Sequence, residues 1–155
     1  MTKSDILCAV DFSASSINAL EWAVDVAKKT HSKLTIMFCY RLIAAFDDED
    51  TLDLKKNMEK DARLKFKELE KQYIKGQPFP YTFTTEVGFY HFRIEMFVRI
   101  NPVGLIVLGS SIVQQFDENN NLGFDAFLKA SKVPVVVVPN EARVEIPVKL
   151  SIARS

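Results

Sequence analysis

Apolar residues in this chain fall into short unbroken runs separated by stretches where they recur every three or four positions. Ile6-Leu7-Cys8-Ala9-Val10 is one such run and predicts a strand buried on both faces. The polar turn Asp11-Phe12-Ser13-Ala14-Ser15-Ser16 follows, with several residues able to cap a helix. From Ile17 to Lys29 the apolar positions Ile17, Leu20, Ala23, Val24 and Ala27 keep helical spacing, with Glu21, Asp25, Lys28 and Lys29 opposite them. Leu34-Thr35-Ile36-Met37-Phe38-Cys39 is rich in β-branched and aromatic residues and predicts a second buried strand. Strand, helix and strand over this length imply a right-handed parallel crossover.

Residues 41–51 read as a loop holding the acidic cluster Asp47-Asp48-Glu49-Asp50, and a long, strongly charged helix follows up to about Tyr73. Gly76 to Pro80 breaks that helix. Tyr81 to Val87 alternates as a third strand, and Gly88 turns into a helical stretch carrying Ile94, Phe97, Val98 and Ile100, which Asn101-Pro102 should end. Leu105 to Leu108 and Val135 to Val138 are the two most strand-like runs. They bracket a polar loop from Gly109 to Asn121 and a short helix around Phe124 to Ala130. The order predicts an α/β fold: a five-stranded parallel, doubly wound sheet flanked by helices, with a C-terminal extended tail.

Composition narrows the function classes. The 155 residues allow one domain, read as residues 1–139 with a C-terminal extension at 140–155. Twenty Lys and Arg against 20 Asp and Glu leave no net field for nucleic acid or an anionic membrane, so neither is expected as a partner. No apolar window reaches the roughly 18 residues of a membrane span, and no signal peptide is legible, so the cytoplasm is the expected compartment. Cys8 and Cys39 sit inside strand runs as small hydrophobes, and His31 and His91 lack ligand-spaced neighbours, so no metal site is expected. The 47–50 cluster lacks the spacing and glycine of a calcium loop and reads as solvated.

Three segments in order, Ile6-Leu7-Cys8-Ala9-Val10-Asp11-Phe12-Ser13, Gly104-Leu105-Ile106-Val107-Leu108-Gly109-Ser110 and Val133-Pro134-Val135-Val136-Val137-Val138-Pro139, resemble the universal stress protein family from about Ser4 to Pro139. In nucleotide-holding members a loop of the form Gly, two residues, Gly, nine residues, Gly, then Ser or Thr cradles phosphates on bare backbone amides. Only Gly109 matches plainly. The second glycine position falls on Ile112 and the Gly-Ser pair on Asn121 and Leu122, in a loop one residue short, with Gly123 available only by a shifted register. An isoleucine disfavours the backbone that glycine supplies and fills space a phosphate needs.

The resemblance implies a nucleotide pocket at Asp11, Cys39, Gly109, Ser110, Ser111 and Gly123, Asp11 and Cys39 lying beside ribose and base. Each has a plain alternative: Asp11 as a turn and capping residue, the Gly109 to Ser111 stretch as a polar turn. Phe116, Phe124 and Phe127 are expected to fill the cavity a nucleotide would occupy. No catalytic residue is assigned: His91, with Tyr90 and Arg93, has no identifiable triad partner. A phosphoacceptor receiver fails for want of an acidic pair and a strand-end lysine, and a flavin carrier for want of a placed aromatic pair.

The expected function is therefore a stress-response regulatory or scaffold protein with an unidentified protein partner, no cofactor and no tight ATP binding. The alternative is an adenine-nucleotide switch or slow ATPase, holding ATP or AMP on a rearranged loop. The Val135 to Val138 run resembles the family's edge strand, which implies a homodimer through that strand. The tail at 143–152 reads as extended, a shortened relic of a tandem link or a strand at the dimer interface.

Overall fold

The computed structural model describes residues 5–42, 48–119, 123–140 and 151–153. The element order is β1 (Asp5–Val10), α1 (Ala14–Thr30), β2 (Leu34–Tyr40), α2 (Asp48–Leu69, continued by a π-helical turn Glu70–Ile74), β3 (Tyr81–Val87), α3 (Tyr90–Ile100), β4 (Val103–Gly109), α4 (Ser110–Asn119), α5 (Gly123–Ala130), β5 (Val135–Val138) and β6 (Ser151–Ala153). The five expected strands form a parallel sheet in the order β3-β2-β1-β4-β5. The chain starts in the middle, winds outward through β2 and β3, then returns to β4 on the other side of β1. The reversal places a switch point between the carboxyl ends of β1 and β4, where ligands of doubly wound sheets bind.

Strand alternation divides the core into two layers. Ile6, Cys8, Val10, Ile36, Val107 and Val136 pack against Ala19, Leu20, Ala23 and Ala27 of α1 and Phe66 and Leu69 of α2. Leu7, Ala9, Met37, Ile106 and Leu108 face Ile94 of α3, Ile112 and Phe116 of α4 and Phe127 of α5. The alanines of α1 let that helix lie close on β1 and β4. Cys8 and Cys39 are buried free thiols, and burial pushes both up, Cys39 to about 12. Among the described residues, no helix is long and apolar enough to cross a membrane, and no cluster of acidic, His and Cys side chains could hold a metal ion.

Two expectations need correction. The loop predicted from Gly109 to Asn121 is helical over Ser110–Asn119. Ile112 and Phe116 lie four residues apart on one face and are fully buried, which outweighs the weak helix preference of the serines. The 41–51 loop is also shorter than read, because the helix already runs from Asp48. Acidic residues in a first helical turn are favoured by the positive end of the helix dipole.

The tail contributes a sixth strand: β6 pairs antiparallel with β5, with Val136 opposite Ile152. The outer edge of β5, assigned from the resemblance to a second copy, is thus covered here by the same chain. The remainder of the tail, 141–150 and 154–155, lies outside the described residues.

Candidate functional site

The turn after β1 is organised by Asp11. Its Oδ1 accepts from the Ser13 amide at 3.1 Å and from the Ser13 hydroxyl at 2.5 Å, and its own amide donates to Ser16 Oγ at 3.1 Å. Ser13 is the N-cap of α1, its Oγ accepting from the Ser16 amide at 3.2 Å. Across the switch point, the Ser111 hydroxyl lies 2.8 Å from Ser13 Oγ and 3.0 Å from Ser15 Oγ, and the Ser111 amide donates to Ser15 Oγ at 3.0 Å. Gln115, one turn further along α4, donates to Asp11 Oδ2 at 3.0 Å. Burial alone would raise the Asp11 pKa, but hydrogen bonds from Ser13, Ser111 and Ser16 together outweigh it and hold the carboxyl below its usual range.

This network satisfies itself. The Ser16 and Ser111 amides sit near the N-termini of α1 and α4, where backbone donors would serve an incoming anion, yet both are taken by serine hydroxyls.

Gly109 lies directly beneath the network. A Cβ built on it would stand 2.5 Å from the Ser15 carbonyl oxygen and 2.8 Å from its carbon, so α1 and β4 meet there too closely for any side chain. Packing alone requires this glycine.

Beside the network, Cys39, Tyr40, Arg41, Met58, Gly88, Phe89, Tyr90 and Gln115 line a crevice of about 290 Å³ at the carboxyl ends of β2 and β3. The Arg41 guanidinium lies over the Phe89 ring, 4.9 Å from its centroid. The buried Tyr90 hydroxyl donates to the Val10 carbonyl at 2.5 Å, and burial raises its pKa, so the phenol stays protonated. Tyr40 donates to Glu59 at 2.5 Å and fastens α2 over this end of the sheet.

The six residues assigned from the resemblance therefore separate. Asp11, Gly109 and Ser111 come together, and Cys39 lines the adjoining crevice. Ser110 turns towards β5 and donates to Asn140 Oδ1 at 2.9 Å. Gly123, with φ of +77°, opens α5 beyond the far end of α4, where the Phe124 amide donates to Asp117 Oδ1 at 2.9 Å. A carboxylate at that spot opposes phosphate. Phe116 is fully buried and makes edge contacts with Phe124 and Phe127 at centroid distances of 5.4 and 4.8 Å, filling the space under α4.

Sequence reasoning passed over Gln115, Arg41, Phe89 and Met58. Gln115 had a usable signal, one helical turn beyond Ser111, but only if the segment is read as helix.

Comparison with known proteins agrees with the fold. The model of the universal stress protein family matches residues 4–139. No curated protein matches. Among solved structures, a hypothetical protein described as a test case of structural genomics is 18% identical with a TM-score of 0.67, over 90% of this chain and 97% of that one. A universal stress protein in complex with cAMP is 18% identical with a TM-score of 0.65, over 89% of this chain and 98% of that one. UspA from Lactobacillus plantarum is 19% identical with a TM-score of 0.59, over 88% of this chain and 98% of that one. At these identities the structural likeness establishes the fold alone. With the family model spanning all five parallel strands, the chain belongs to the universal stress protein family.

Proposed function

We propose that this chain is a regulatory or scaffold member of its family, working in the cytoplasm as a homodimer with a protein partner and without tight ATP binding. One observation carries the reading: where a glycine loop would wrap phosphates, α4 begins at once after β4, with Ile112 and Phe116 fully buried under it. Opening that loop would unwind a helix and empty the core layer it covers. Serine hydroxyls occupy the Ser16 and Ser111 amides, so a phosphate would have to displace them.

A second reading, an adenine-nucleotide switch or slow ATPase, is favoured by the crevice of about 290 Å³, close to the lower size of ligand pockets. The relative solved in complex with cAMP lends it support. Asp11 and Cys39 would then lie beside the nucleoside, and Arg41 at the mouth would meet a single phosphate. A triphosphate on Gly123 fits less well, because the Asp117 carboxylate is already there.

Native mass spectrometry of protein purified without added ligand, followed by titration with ATP and magnesium, tests both. The regulatory reading expects an empty dimer and no saturable ATP adduct. One adenine nucleotide retained per subunit would overturn it in favour of the switch.

A further inference from the structure

Helices on the surface of an α/β domain normally bury one face and wet the other. α3 does not. Its inner side packs Tyr90 and Ile94 into the core, with Phe97 and Val98 partly buried against it, yet its outer side carries Phe92, Met96 and Ile100, 50%, 39% and 80% exposed. These three are spaced four residues apart and form one continuous stripe. Phe89, at the helix start and also exposed, extends it. A helix apolar on both sides is the pattern of one covered on both sides.

We infer that the outer face of α3 is a self-association surface, on which α3 of a second copy lies antiparallel about a two-fold axis near Met96. The inference rests on the homodimer reading above and names its contact. With the two-fold at Met96, Phe92 of each copy meets Ile100 of the other. The charges bordering the stripe favour a second copy over an unrelated partner. Glu95 and Arg99 lie along one border, and neither makes an ion pair among the described residues. The antiparallel two-fold brings that border of one copy against the same border of the other, so Glu95 faces Arg99 of the second copy and the pair forms twice. On the opposite border Arg93 is already held by Glu86 at 2.5 Å, which limits its repulsion from its own copy.

The exposed parts of Phe89, Phe92, Met96 and Ile100 amount to roughly 400 Å² per copy, within the range of the largest patch on a typical monomer. Two such faces, about 800 Å² together, fall below the roughly 1,200–2,000 Å² of stable specific interfaces and within the range of transient ones. The contact is therefore reversible and concentration-dependent. It also leaves β6 in place on the β5 edge, whereas edge pairing would require β6 to leave.

Sedimentation equilibrium of the full chain over a concentration series tests the surface. Expected is a monomer–dimer equilibrium whose dissociation constant rises at least tenfold in Met96→Lys, with the thermal unfolding midpoint little changed because the site is exposed. Glu95→Arg and Arg99→Glu should each weaken the dimer, and the double variant should recover it. Met96→Cys should cross-link to itself on mild oxidation, since Cys8 and Cys39 are buried. A dimer indifferent to Met96→Lys and cross-linked instead by Val137→Cys would overturn the α3 surface but keep the homodimer. A chain monomeric at every concentration would overturn both.

Discussion

Replacing Gly109 by alanine separates two accounts of this residue. In the phosphate-loop account the glycine lets backbone amides reach a ligand, so an added methyl would weaken nucleotide binding and leave the empty protein's stability alone. The backbone there is not left-handed. Alanine would even gain about 0.4–1 kcal/mol by restricting the unfolded chain. In the packing account the methyl meets main-chain atoms of α1, 2.5 Å from the Ser15 oxygen, 2.8 Å from its carbon and 3.1 Å from the Ser16 nitrogen. Relief requires α1 and β4 to separate by roughly 1 Å, because carbon contacts are comfortable only near 3.5–4 Å. Such overpacking costs about 1–3 kcal/mol, and the upper end applies because backbone cannot rotate aside. The shift also strains the hydrogen bond from the Ser111 amide to Ser15.

The clash exceeds the unfolded-state gain, so Gly109→Ala should lose about 2 kcal/mol net. At roughly 2–4 °C per kcal/mol for a chain of this size, the thermal midpoint falls by about 4–8 °C. Urea unfolding of the ligand-free protein is the assay, with a lower midpoint and unchanged slope expected. A variant as stable as the parent, or more so, would refute the packing account.

Phe116→Ala should cost about 3–5 kcal/mol in urea unfolding, because the ring is fully enclosed by Phe124, Phe127 and the sheet; a loss below about 1 kcal/mol would mean that α4 does not seal the core. Asp11 should make stability pH-dependent in one direction. Its carboxyl titrates lower folded than unfolded, so its contribution is full above the unfolded value near 4 and is lost as pH falls through the lower folded value. The stability gap between parent and Asp11→Asn should therefore close on acidification from pH 7, and a gap that stays constant or widens would contradict the network. Both thiols should resist an aromatic disulfide reagent in native protein at pH 8 and react on denaturation, since burial raises Cys8 and holds Cys39 at about 12; fast native reaction would mean that the crevice opens at Cys39. Truncation after Asn140 removes β6 and bares the β5 edge, so self-association should rise in size-exclusion chromatography; an elution position identical to the full chain's would show that the edge is not adhesive.

The strands were legible because buried parallel strands announce themselves as apolar runs, and Ile6 to Val10, Leu34 to Cys39 and Val135 to Val138 all fell where expected. α4 was not, because Gly109-Ser110-Ser111 at its start and Asn119-Asn120-Asn121 at its end are turn-formers. The helix signal rests on Ile112, Val113 and Phe116 alone. The site followed the same division. Asp11 and Gly109 stand at strand ends, so the sheet fixed their neighbourhood. Ser110, Ser111 and Gly123 depended on whether loop or helix follows β4. With a helix, Ser111 turns inward to the network, Ser110 turns to Asn140, and Gly123 is carried to the far end of α4.

α3 shows a second reason why a sequence under-determines a surface. Its apolar residues Ile94, Phe97, Val98 and Ile100 were read together, yet the first three face the sheet while Ile100 is 80% exposed. Helical periodicity identifies a buried face only when the remaining positions are polar. Where Phe92, Met96 and Ile100 complete the circle, hydropathy alone does not say which side is inward. The sheet decides: Leu7, Ile106 and Leu108 need covering by Tyr90 and Ile94, which orients the helix and turns the second apolar stripe outward. The exposed part of an outward stripe on an otherwise consistent fold adds little to the monomer's stability. The proposed α3 contact would give that stripe a role, and Met96→Lys is the substitution that tests it.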